Sequence, residues 1–319
     1  MNKITDYLTQ QIKLLNLPYD KFEFLAGDAS TRKYYKLSLE NSTKILMFEK
    51  DGKKNIENFL KKTELFNSLG MKVPKIFGVF LEQEILILED FGDRKYSQIL
   101  NKKNELKLYK SAIDSLLYMH RNNFSQDLKP YSSKIYFEES KLFFDWYLKL
   151  YPKQKVNLDL SSFIECFLEN LLILEKLPIV NIHRDFHVDN LFFFDYETKE
   201  RKCAWIDYQD ALVGPCVYDV MSILEDARRD LTIENKKKLI LHYIEELGLV
   251  EFDIFMQCFK ILAIQRHLKV LGIFSRLALK EKKIEYLRHI PRVRNMLISN
   301  LSDKRFKNIN SILKPLICI

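Results

Sequence analysis

Apolar and polar positions recur with two different periods along the first ninety residues of the chain. An amphipathic helical spacing comes first, at Ile4, Leu8, Ile12 and Leu15. Five short apolar runs between polar turns then predict strands, at residues 22–26, 33–39, 44–48, 73–80 and 84–88. Between the third and fourth strands, residues 55–69 carry an apolar helical face, and Gly70 follows as a C-cap. The pattern therefore predicts a small antiparallel sheet with one inserted helix.

Beyond the fifth predicted strand, the apolar periodicity becomes mainly helical. The change follows a polar segment that contains a glycine, residues 89–93, and we place a domain boundary there, between residues 91 and 92. Helical spacing then predicts helices at residues 105–120, 162–176, 217–229, 234–247, 252–279 and 291–300. We therefore expect an α+β chain, with a small sheet region at residues 1–91 and a larger, mainly helical region at residues 92–319.

The helical region is interrupted by a dense group of polar residues that lies around two apolar runs. The polar residues are His183, Asp185, His187, Asp189, Asn190, Asp207 and Asp210. The runs Leu191–Phe194 and Ala204–Ile206 each have the length and composition of a short buried strand. Carboxylates and an amide beside two short strands suit a site that holds metal ions and one activated hydroxyl group.

The spacing within this group fits phosphoryl transfer. Asp185 and Asn190 are separated by four residues, the spacing at which an aspartate handles the attacking hydroxyl and an asparagine binds Mg²⁺. Asp207 ends the next strand and is the expected second metal ligand, because a hard cation such as Mg²⁺ prefers oxygen ligands. The alternative is a surface loop in which the three residues only cap local structure.

Composition limits the class of protein further. The chain has 319 residues, of which 47% are hydrophobic, so a substantial core is expected. None of the five cysteines forms a CxxC pair, which argues against a zinc knuckle or a disulfide framework and fits a reducing cytoplasm. The sequence shows no signal peptide, and no apolar run approaches the roughly 20 residues that cross a bilayer. The net charge of +8 comes without a nucleic-acid-binding motif. We therefore expect a cytoplasmic protein that binds neither membrane nor nucleic acid.

The polar group and its surroundings resemble the catalytic core of the aminoglycoside phosphotransferase and choline kinase superfamily. The core of the resemblance is His183-Arg184-Asp185 with Asn190, followed by Ile206-Asp207. Further segments are similar to one branch, the bacterial cell-wall amino-sugar kinases, at Gly27–Tyr35, Leu86–Asp93, Asp207–Pro215, Tyr218–Asp219 and Arg266–Arg276. Members of that branch phosphorylate N-acetylmuramate and N-acetylglucosamine at the anomeric hydroxyl, in the recycling of cell-wall sugars. The resemblance covers nearly the whole chain and implies a bilobal, protein-kinase-like fold with a small sheet lobe and a larger helical lobe.

The resemblance implies roles for residues of the catalytic core. Asp185 corresponds to the catalytic base, and Asn190 and Asp207 correspond to the Mg²⁺ ligands. His183 corresponds to a histidine that supports the backbone of the loop rather than reacting. Asp219 corresponds to the buried aspartate at a helix start that braces the same loop.

The resemblance also implies how ATP is bound in the small lobe. Ser30 and Arg32, with the backbone amides of residues 27–30, would cover the phosphates. The backbone from Glu89 to Phe91 would pair with adenine. ATP and Mg²⁺ are therefore the expected cofactors.

One position departs from the pattern of kinases with this fold. The third strand usually carries a lysine that pairs with a helix glutamate and with the phosphates. Here Met47 stands nearest the expected position, flanked by Lys44 and Lys50. Either Arg32 or a displaced lysine substitutes, or ATP binding is weaker than usual. The expected glutamate partner is Glu57 or Glu64.

Four further residues are candidates for contact with the acceptor, each with a simpler alternative. Asp210 either hydrogen-bonds the acceptor or forms a turn. His187 either contacts the acceptor or fills space. Arg266 and Arg276 either line the sugar pocket or lie on a helix surface. One extra carboxylate favours an uncharged sugar over a cationic acceptor.

The function expected from the sequence is therefore phosphorylation of an amino sugar at its anomeric hydroxyl by ATP. A second hypothesis keeps the kinase and changes the acceptor to an aminoglycoside, a choline-like amine or a hydroxy amino acid. A third is a nucleotide-binding pseudokinase that has lost activity, which the methionine at position 47 favours and the intact Asp185, Asn190 and Asp207 oppose.

Overall fold

The computed structural model describes residues 3–27, 32–40, 42–121, 125–151 and 160–317. Ser30 and the turn around it lie outside these ranges. The first part of the chain contains α1 (Lys3–Leu14), β1 (Lys21–Ala26), β2 (Arg32–Leu39), β3 (Ser42–Glu49), α2 (Lys53–Ser68), β4 (Ile76–Phe80) and β5 (Ile85–Glu89). Over the described residues these strands form one antiparallel sheet of five, in the order β1-β2-β3-β5-β4. The predicted sheet with its inserted helix is confirmed, and Gly70 (φ 78°) follows α2 as expected.

The fourth strand begins later than its apolar run predicts. Residues 73–75 belong to the predicted run but precede the observed strand. The backbone oxygen of Lys72, directly before them, accepts a hydrogen bond from Trp205 N at 2.9 Å, so this end of the run is bound to the strand that contains Trp205. Pro74 also lacks the N–H that a ladder would need. The segment therefore ties the sheet to the strand that precedes Asp207.

The rest of the chain is mainly helical and contains two short antiparallel strand pairs. Its helices are α3 (Tyr96–Ile99), α4 (Glu105–His120), α5 (Ser133–Leu142), α6 (Leu160–Leu171), α7 (Val217–Leu224), α8 (Ile233–Leu247), α9 (Phe252–Glu281), α10 (Ile290–Leu301) and α11 (Lys307–Ile317). Its strands are β6 (Ile179–Ile182), β7 (Leu191–Phe193), β8 (Cys203–Trp205) and β9 (Leu212–Pro215), paired as β6 with β9 and β7 with β8. The predicted boundary between residues 91 and 92 falls in the connection between β5 and α3. In the described ranges, no helix combines the length and the apolar character needed to cross a bilayer.

Two helices of the sheet region cover opposite faces of the sheet. Leu8 and Ile12 of α1 pack on one face with Tyr35 and Leu46, in a small separate cluster. The other face, with Met47 and Leu86, packs on α2 and belongs to the large core that extends into the helical region. The sheet is therefore joined to the rest of the molecule through its α2 face.

Aromatic side chains of α2 fix the segment that carries Asp207. Phe59 stacks on Tyr208 with ring centroids 5.5 Å apart, and Phe66 meets Tyr208 edge-on at 5.3 Å. The hydroxyl groups of Thr63 and Tyr208 are 2.8 Å apart. Because these side chains are buried, α2 holds the end of β8 in one position relative to the sheet.

The long helix α9 crosses α5 at very close range. A Cβ atom added at Gly272 would lie 2.3 Å from the carbonyl carbon of Leu142, so only glycine fits there. The contact is followed directly by a π-helical turn at Phe143–Tyr147. This crossing brings polar residues of α9 next to polar residues of α5, beside the loop that carries Asp185.

Candidate active site

Asp185 lies on a loop that leaves β6, and Asp219 holds that loop by its backbone. One Asp219 carboxylate oxygen accepts from His183 N at 2.6 Å, and the other accepts from Arg184 N at 3.0 Å. Arg184 adopts φ 72°, a conformation that costs a non-glycine residue energy and must be held by its surroundings. Asp219 is fully buried in the first turn of α7. Burial raises its pKa to about 7, although the two backbone hydrogen bonds act to lower it. The carboxylate therefore fixes the turn that presents Asp185.

The ring of His183 joins the loop to β8. Its Nε2 lies 3.0 Å from the backbone oxygen of Ile206, and its Nδ1 accepts from Asp185 N at 3.3 Å. A carbonyl oxygen only accepts, so Nε2 carries the proton and the ring is the neutral tautomer. Burial lowers the pKa of His183 to about 4, which keeps the ring neutral. These contacts are those of a loop support.

The Asp185 carboxyl has three cationic side chains around it. Burial acts to raise its pKa, but Lys269, Arg266 and Arg184 outweigh burial and hold the pKa well below its usual range. The group therefore carries a negative charge and is able to accept a proton.

Asn190 and Asp207 converge beside Asp185. The Nδ2 of Asn190 donates to the backbone oxygen of Asp185 at 2.9 Å and lies 3.4 Å from an Asp207 carboxylate oxygen. Asp207 has φ 65°, and its other oxygen accepts from Gln209 Nε2 at 2.8 Å. Burial raises the pKa of Asp207, and the nearby Asp185 adds to that shift. A divalent cation held by Asp207 would relieve this repulsion.

The donor set fits Mg²⁺. In the described part of the chain, His, Cys, Asp and Glu side chains form no group of three that could hold a metal by themselves. An amide oxygen and one carboxylate are instead the limited protein ligation that Mg²⁺ takes when phosphates and water complete its shell. Asn190 and Asp207 supply that pair.

A further brace holds the turn Val188–Asn190 and was not found from the sequence. Asp226 is buried just after α7 and accepts from Val188 N at 3.1 Å. It also accepts from Arg228 N at 3.0 Å, and Arg228 pairs with Asp189 at 2.7 Å. The predicted helix 217–229 ends early, at Leu224, so Asp226 lies outside the helix where its carboxylate reaches the turn.

A buried ion pair joins two strands of the sheet region. Arg32 of β2 donates from Nε to Glu49 of β3 at 2.7 Å, and both side chains are buried. Asn55 of α2 donates to the other Glu49 oxygen at 2.7 Å. Burial acts to lower the pKa of Arg32, but Glu49, Tyr34 and Asp207 raise it, so the guanidinium stays charged.

The glutamate partner predicted from the sequence was wrong. Glu57 and Glu64 both lie on exposed positions of α2. Met47 is fully buried in the large core, and the Lys44 ammonium lies 3.3 Å from the centre of the Phe77 ring, on the outer edge of the sheet. Lys50 is exposed. Strand alternation explains the difference, because it places Glu49 and Met47 on the same face as Arg32.

The segment after β5 connects the sheet region to the helical region. Glu89 N donates to Lys75 O at 2.8 Å. Phe91 packs edge-on against Phe192 and Phe194, with ring centroids 5.4 Å from each. The expected adenine contact, from Glu89 to Phe91, therefore lies directly over β7, which follows the catalytic loop.

The structure places the four acceptor candidates differently. His187 is buried, with Nε2 3.3 Å from Asn190 Nδ2, and burial lowers its pKa well below the usual value. Asp210 is exposed near the loop, and its backbone oxygen accepts from Arg184 Nη1 at 3.0 Å. Arg276 lies further along α9 than Arg266, by about 15 Å at 1.5 Å per residue.

Arg266 is not on a helix surface, and that alternative was wrong. Its side chain is buried, and its Nη1 donates to Arg184 O at 2.9 Å and lies 3.3 Å from Tyr218 Oη. Arg266 therefore binds the backbone of the same turn that Asp219 holds from the other side.

An ionised aspartate beside an asparagine and an aspartate that fit Mg²⁺, next to a sheet of this topology, is an arrangement suited to phosphoryl transfer. The protein is a small-molecule kinase. It belongs to the phosphotransferase enzyme family, whose family model matches residues 21–252.

Curated relatives resemble the chain over most of its length. The N-acetylmuramate/N-acetylglucosamine kinase of Neisseria meningitidis serogroup B is 30% identical over 309 residues, which cover 91% of this chain and 90% of the relative. The protein of the same name from Pseudomonas aeruginosa is 28% identical over 275 residues, which cover 84% of this chain and 80% of the relative. The resemblance to the amino-sugar kinase branch is therefore confirmed.

Solved structures share the fold at lower identity. The choline kinase LicA from Streptococcus pneumoniae superposes with a TM-score of 0.64 at 15% identity, covering 93% of this chain and all of that one (100%). The ADP-bound aminoglycoside phosphotransferase APH(2'')-Ib superposes with a TM-score of 0.57 at 16% identity, covering 92% and 96%. The predicted bilobal, protein-kinase-like fold is thereby confirmed.

Proposed function

We propose that the protein uses ATP and Mg²⁺ to phosphorylate the anomeric hydroxyl of N-acetylmuramate and N-acetylglucosamine. The observation that carries this proposal is the convergence of Asp185, Asn190 and Asp207, with 2.9 Å and 3.4 Å contacts through the Asn190 amide. The names of the curated relatives supply the acceptor. The ADP bound to one structural relative and the AMP bound to another support an adenine nucleotide.

The reaction follows from the charges of the loop. The acceptor hydroxyl gives its proton to Asp185 while its oxygen forms a bond to the γ-phosphorus of ATP. The bond from that phosphorus to the bridging oxygen breaks, ADP leaves, and a sugar 1-phosphate is formed. Asn190 and Asp207 would hold Mg²⁺, which neutralises negative charge on the phosphates.

The basic surroundings of Asp185 argue against a cationic acceptor. Arg184, Arg266 and Lys269 all act on this carboxyl. Choline and aminoglycosides carry positive charge and would be repelled by the three cations. A neutral or anionic sugar suits the site better.

A panel of acceptors tests the proposal. The protein is incubated with ATP and Mg²⁺ and, separately, N-acetylmuramate, N-acetylglucosamine, choline and an aminoglycoside, and ADP release is measured. We expect turnover with the two sugars, and a ³¹P spectrum coupled to the anomeric proton of the product. Turnover with choline or the aminoglycoside alone would overturn the acceptor, and no turnover with any of them would favour a pseudokinase.

We also propose that Arg32, oriented by Glu49, binds the ATP phosphates in place of the missing lysine. Arg32→Met is expected to raise the KM for ATP about tenfold or more, because a charged hydrogen bond to phosphate is lost. The KM for the sugar should stay within about twofold. Initial rates at varied ATP and at varied sugar measure the two constants.

A double variant separates phosphate binding from stability. Arg32→Met alone removes the cation beside the buried Glu49 carboxylate, which is expected to cost about 3–5 kcal/mol of unfolding free energy. In Arg32→Met with Glu49→Gln that charge is gone, so the melting temperature should recover while the KM for ATP stays high. Recovery of both quantities would show that the pair only stabilises the fold.

A further inference from the structure

A cluster of buried and half-buried polar residues lies beside the loop that carries Asp185, where α9 crosses α5. Its centre is Glu139 of α5, whose carboxylate accepts from Lys269 Nζ at 2.9 Å and from Gln265 Nε2 at 3.0 Å, and which also bonds Tyr131 and Arg184. We call these five residues the Glu139 cluster. One carboxylate there serves two cations, Arg184 and Lys269, so the cluster carries excess positive charge.

Lys269 has unused hydrogen-bonding capacity in this cluster. An ammonium group has three N–H donors. Among the described residues, Glu139 is its one hydrogen-bond partner, although the Lys269 side chain is only 10% exposed. Burial acts to lower the pKa of Lys269, but the nearby Tyr218, Glu139 and Asp185 raise it, so the group stays charged. A buried ammonium with unused donors is costly unless a ligand supplies further acceptors.

The position of Lys269 places it beside the loop that carries Asp185. It lies one helical turn after Arg266, which binds the loop backbone at Arg184 O. The Lys269 ammonium and the Arg184 guanidinium bind the same oxygen of Glu139, so Lys269 lies next to the residue that precedes Asp185. Because Asp185 is the group expected to take the proton of the acceptor, the unused donors of Lys269 lie close to the region where the acceptor would bind.

We propose that Lys269 binds the carboxylate of an acidic sugar acceptor and so makes the enzyme prefer N-acetylmuramate to N-acetylglucosamine. The two sugars differ in one substituent, an ether-linked lactate that carries a carboxylate in N-acetylmuramate. This inference rests on the proposed function, because it assumes that both sugars are acceptors. Glu139 orients the ammonium, and the charge it leaves unbalanced is neutralised by the incoming carboxylate.

The wild-type protein gives a first test that needs no variant. The ratio kcat/KM is measured for N-acetylmuramate, for its methyl ester, which lacks the charge, and for N-acetylglucosamine. We expect the acid to exceed the ester roughly 10- to 100-fold, the value of a charged hydrogen bond in a buried site. Equal values for acid and ester would overturn the proposal. Absence of turnover with both sugars would instead overturn the proposed function.

Lys269→Met then assigns the preference to this residue. The variant should lose the roughly 10- to 100-fold advantage of the acid over the ester, so the ratio of their kcat/KM values should fall close to one even where loss of a cation near Asp185 lowers both values. Lys269→Arg should restore most of the preference, because it restores the charge. Lys280→Met, an exposed position on the same helix, is the matched control and should behave as wild type.

A uniform loss of activity with all three sugars would contradict the proposal. If Lys269→Met lowers kcat/KM by the same factor for acid, ester and N-acetylglucosamine, Lys269 acts only through the loop and the proposal fails. Melting temperatures of all variants are measured alongside, and Lys269→Arg decides the matter if the methionine variant does not fold.

Discussion

Replacing Asp185 by alanine is expected to lower kcat about 10²- to 10⁴-fold, the usual contribution of a general base. The backbone of the loop should survive this change. Asp219 and His183 contact backbone atoms of residues 183–185, and Asn190 binds the backbone oxygen of Asp185. The side chain removed is therefore not needed to hold the loop, and the affinity for ATP should stay within about threefold.

The measurement compares two constants in the same variant. Steady-state rates with N-acetylmuramate give kcat, and calorimetric titration with a non-hydrolysable ATP analogue and Mg²⁺ gives the dissociation constant. Asp195→Ala is a matched control, because Asp195 is an exposed carboxylate in the turn between β7 and β8. An Asp185→Ala protein that phosphorylates the sugar at the wild-type rate would refute the assignment of the base.

Asp207→Asn is expected to have the second large effect, lowering kcat about 100-fold or more and shifting the Mg²⁺ requirement to higher concentration. Asparagine keeps the shape of the side chain and tolerates φ 65° better than most residues, so the backbone should not change. The change removes the negative charge and one acceptor oxygen, and the remaining amide oxygen can keep the stronger hydrogen bond from Gln209. Because burial and Asp185 already raise the pKa of Asp207, this charge is the part of the site that a cation would stabilise most.

Activity as a function of Mg²⁺ concentration tests this expectation. The midpoint for Asp207→Asn should lie at least about tenfold above that of wild type, whereas Asp195→Asn should leave it unchanged. Equal midpoints, with equal melting temperatures, would mean that Asp207 does not bind the metal. The two aspartates are thus separated by their readouts, since loss of Asp185 affects kcat and not the Mg²⁺ midpoint.

The residues that are close in sequence were the ones that sequence reasoning could place. The spacing from Asp185 to Asn190 and the strand before Asp207 predicted a group that converges in the structure. Asp226 and the Glu139 cluster were missed because no local spacing connects them to the loop. Glu139 reaches the site only through the crossing of α5 and α9, which depends on the close approach at Gly272.

The error about the glutamate partner has a different cause. A helix glutamate was expected by resemblance, but Glu57 and Glu64 are exposed, and Arg32 pairs instead with the strand residue Glu49. Burial explains the pairing, because a charged pair on the buried face of the sheet needs both of its members on that face. The alternation along β3 could have been used, because it sets Glu49 beside Arg32 in the register of β2 and β3.

Elements with a strong apolar period were predicted well, as were the short apolar strands β7 and β8, whereas β6, β9 and α5 were not predicted. The strands β6 and β9 have four residues each, and α5 continues directly into a π-helical turn, so these elements show no clear period. Apart from the start of β4, the strands of the N-terminal sheet, α4 and α8 were predicted to within about two residues at each end, the usual uncertainty of element boundaries.

The large core that joins the sheet to the helices bears on how the enzyme unfolds. It includes Met47 and Leu86 of the sheet as well as Leu316 and Ile317 of the last helix, so the two lobes share one set of buried contacts. Scanning calorimetry should accordingly show one cooperative transition, with equal calorimetric and van't Hoff enthalpies, where two separate cores would give two. Only α1, whose contacts form a separate cluster on the outer face, should open earlier in hydrogen exchange. The lobes divide the molecule by shape and chemistry but melt as a single unit.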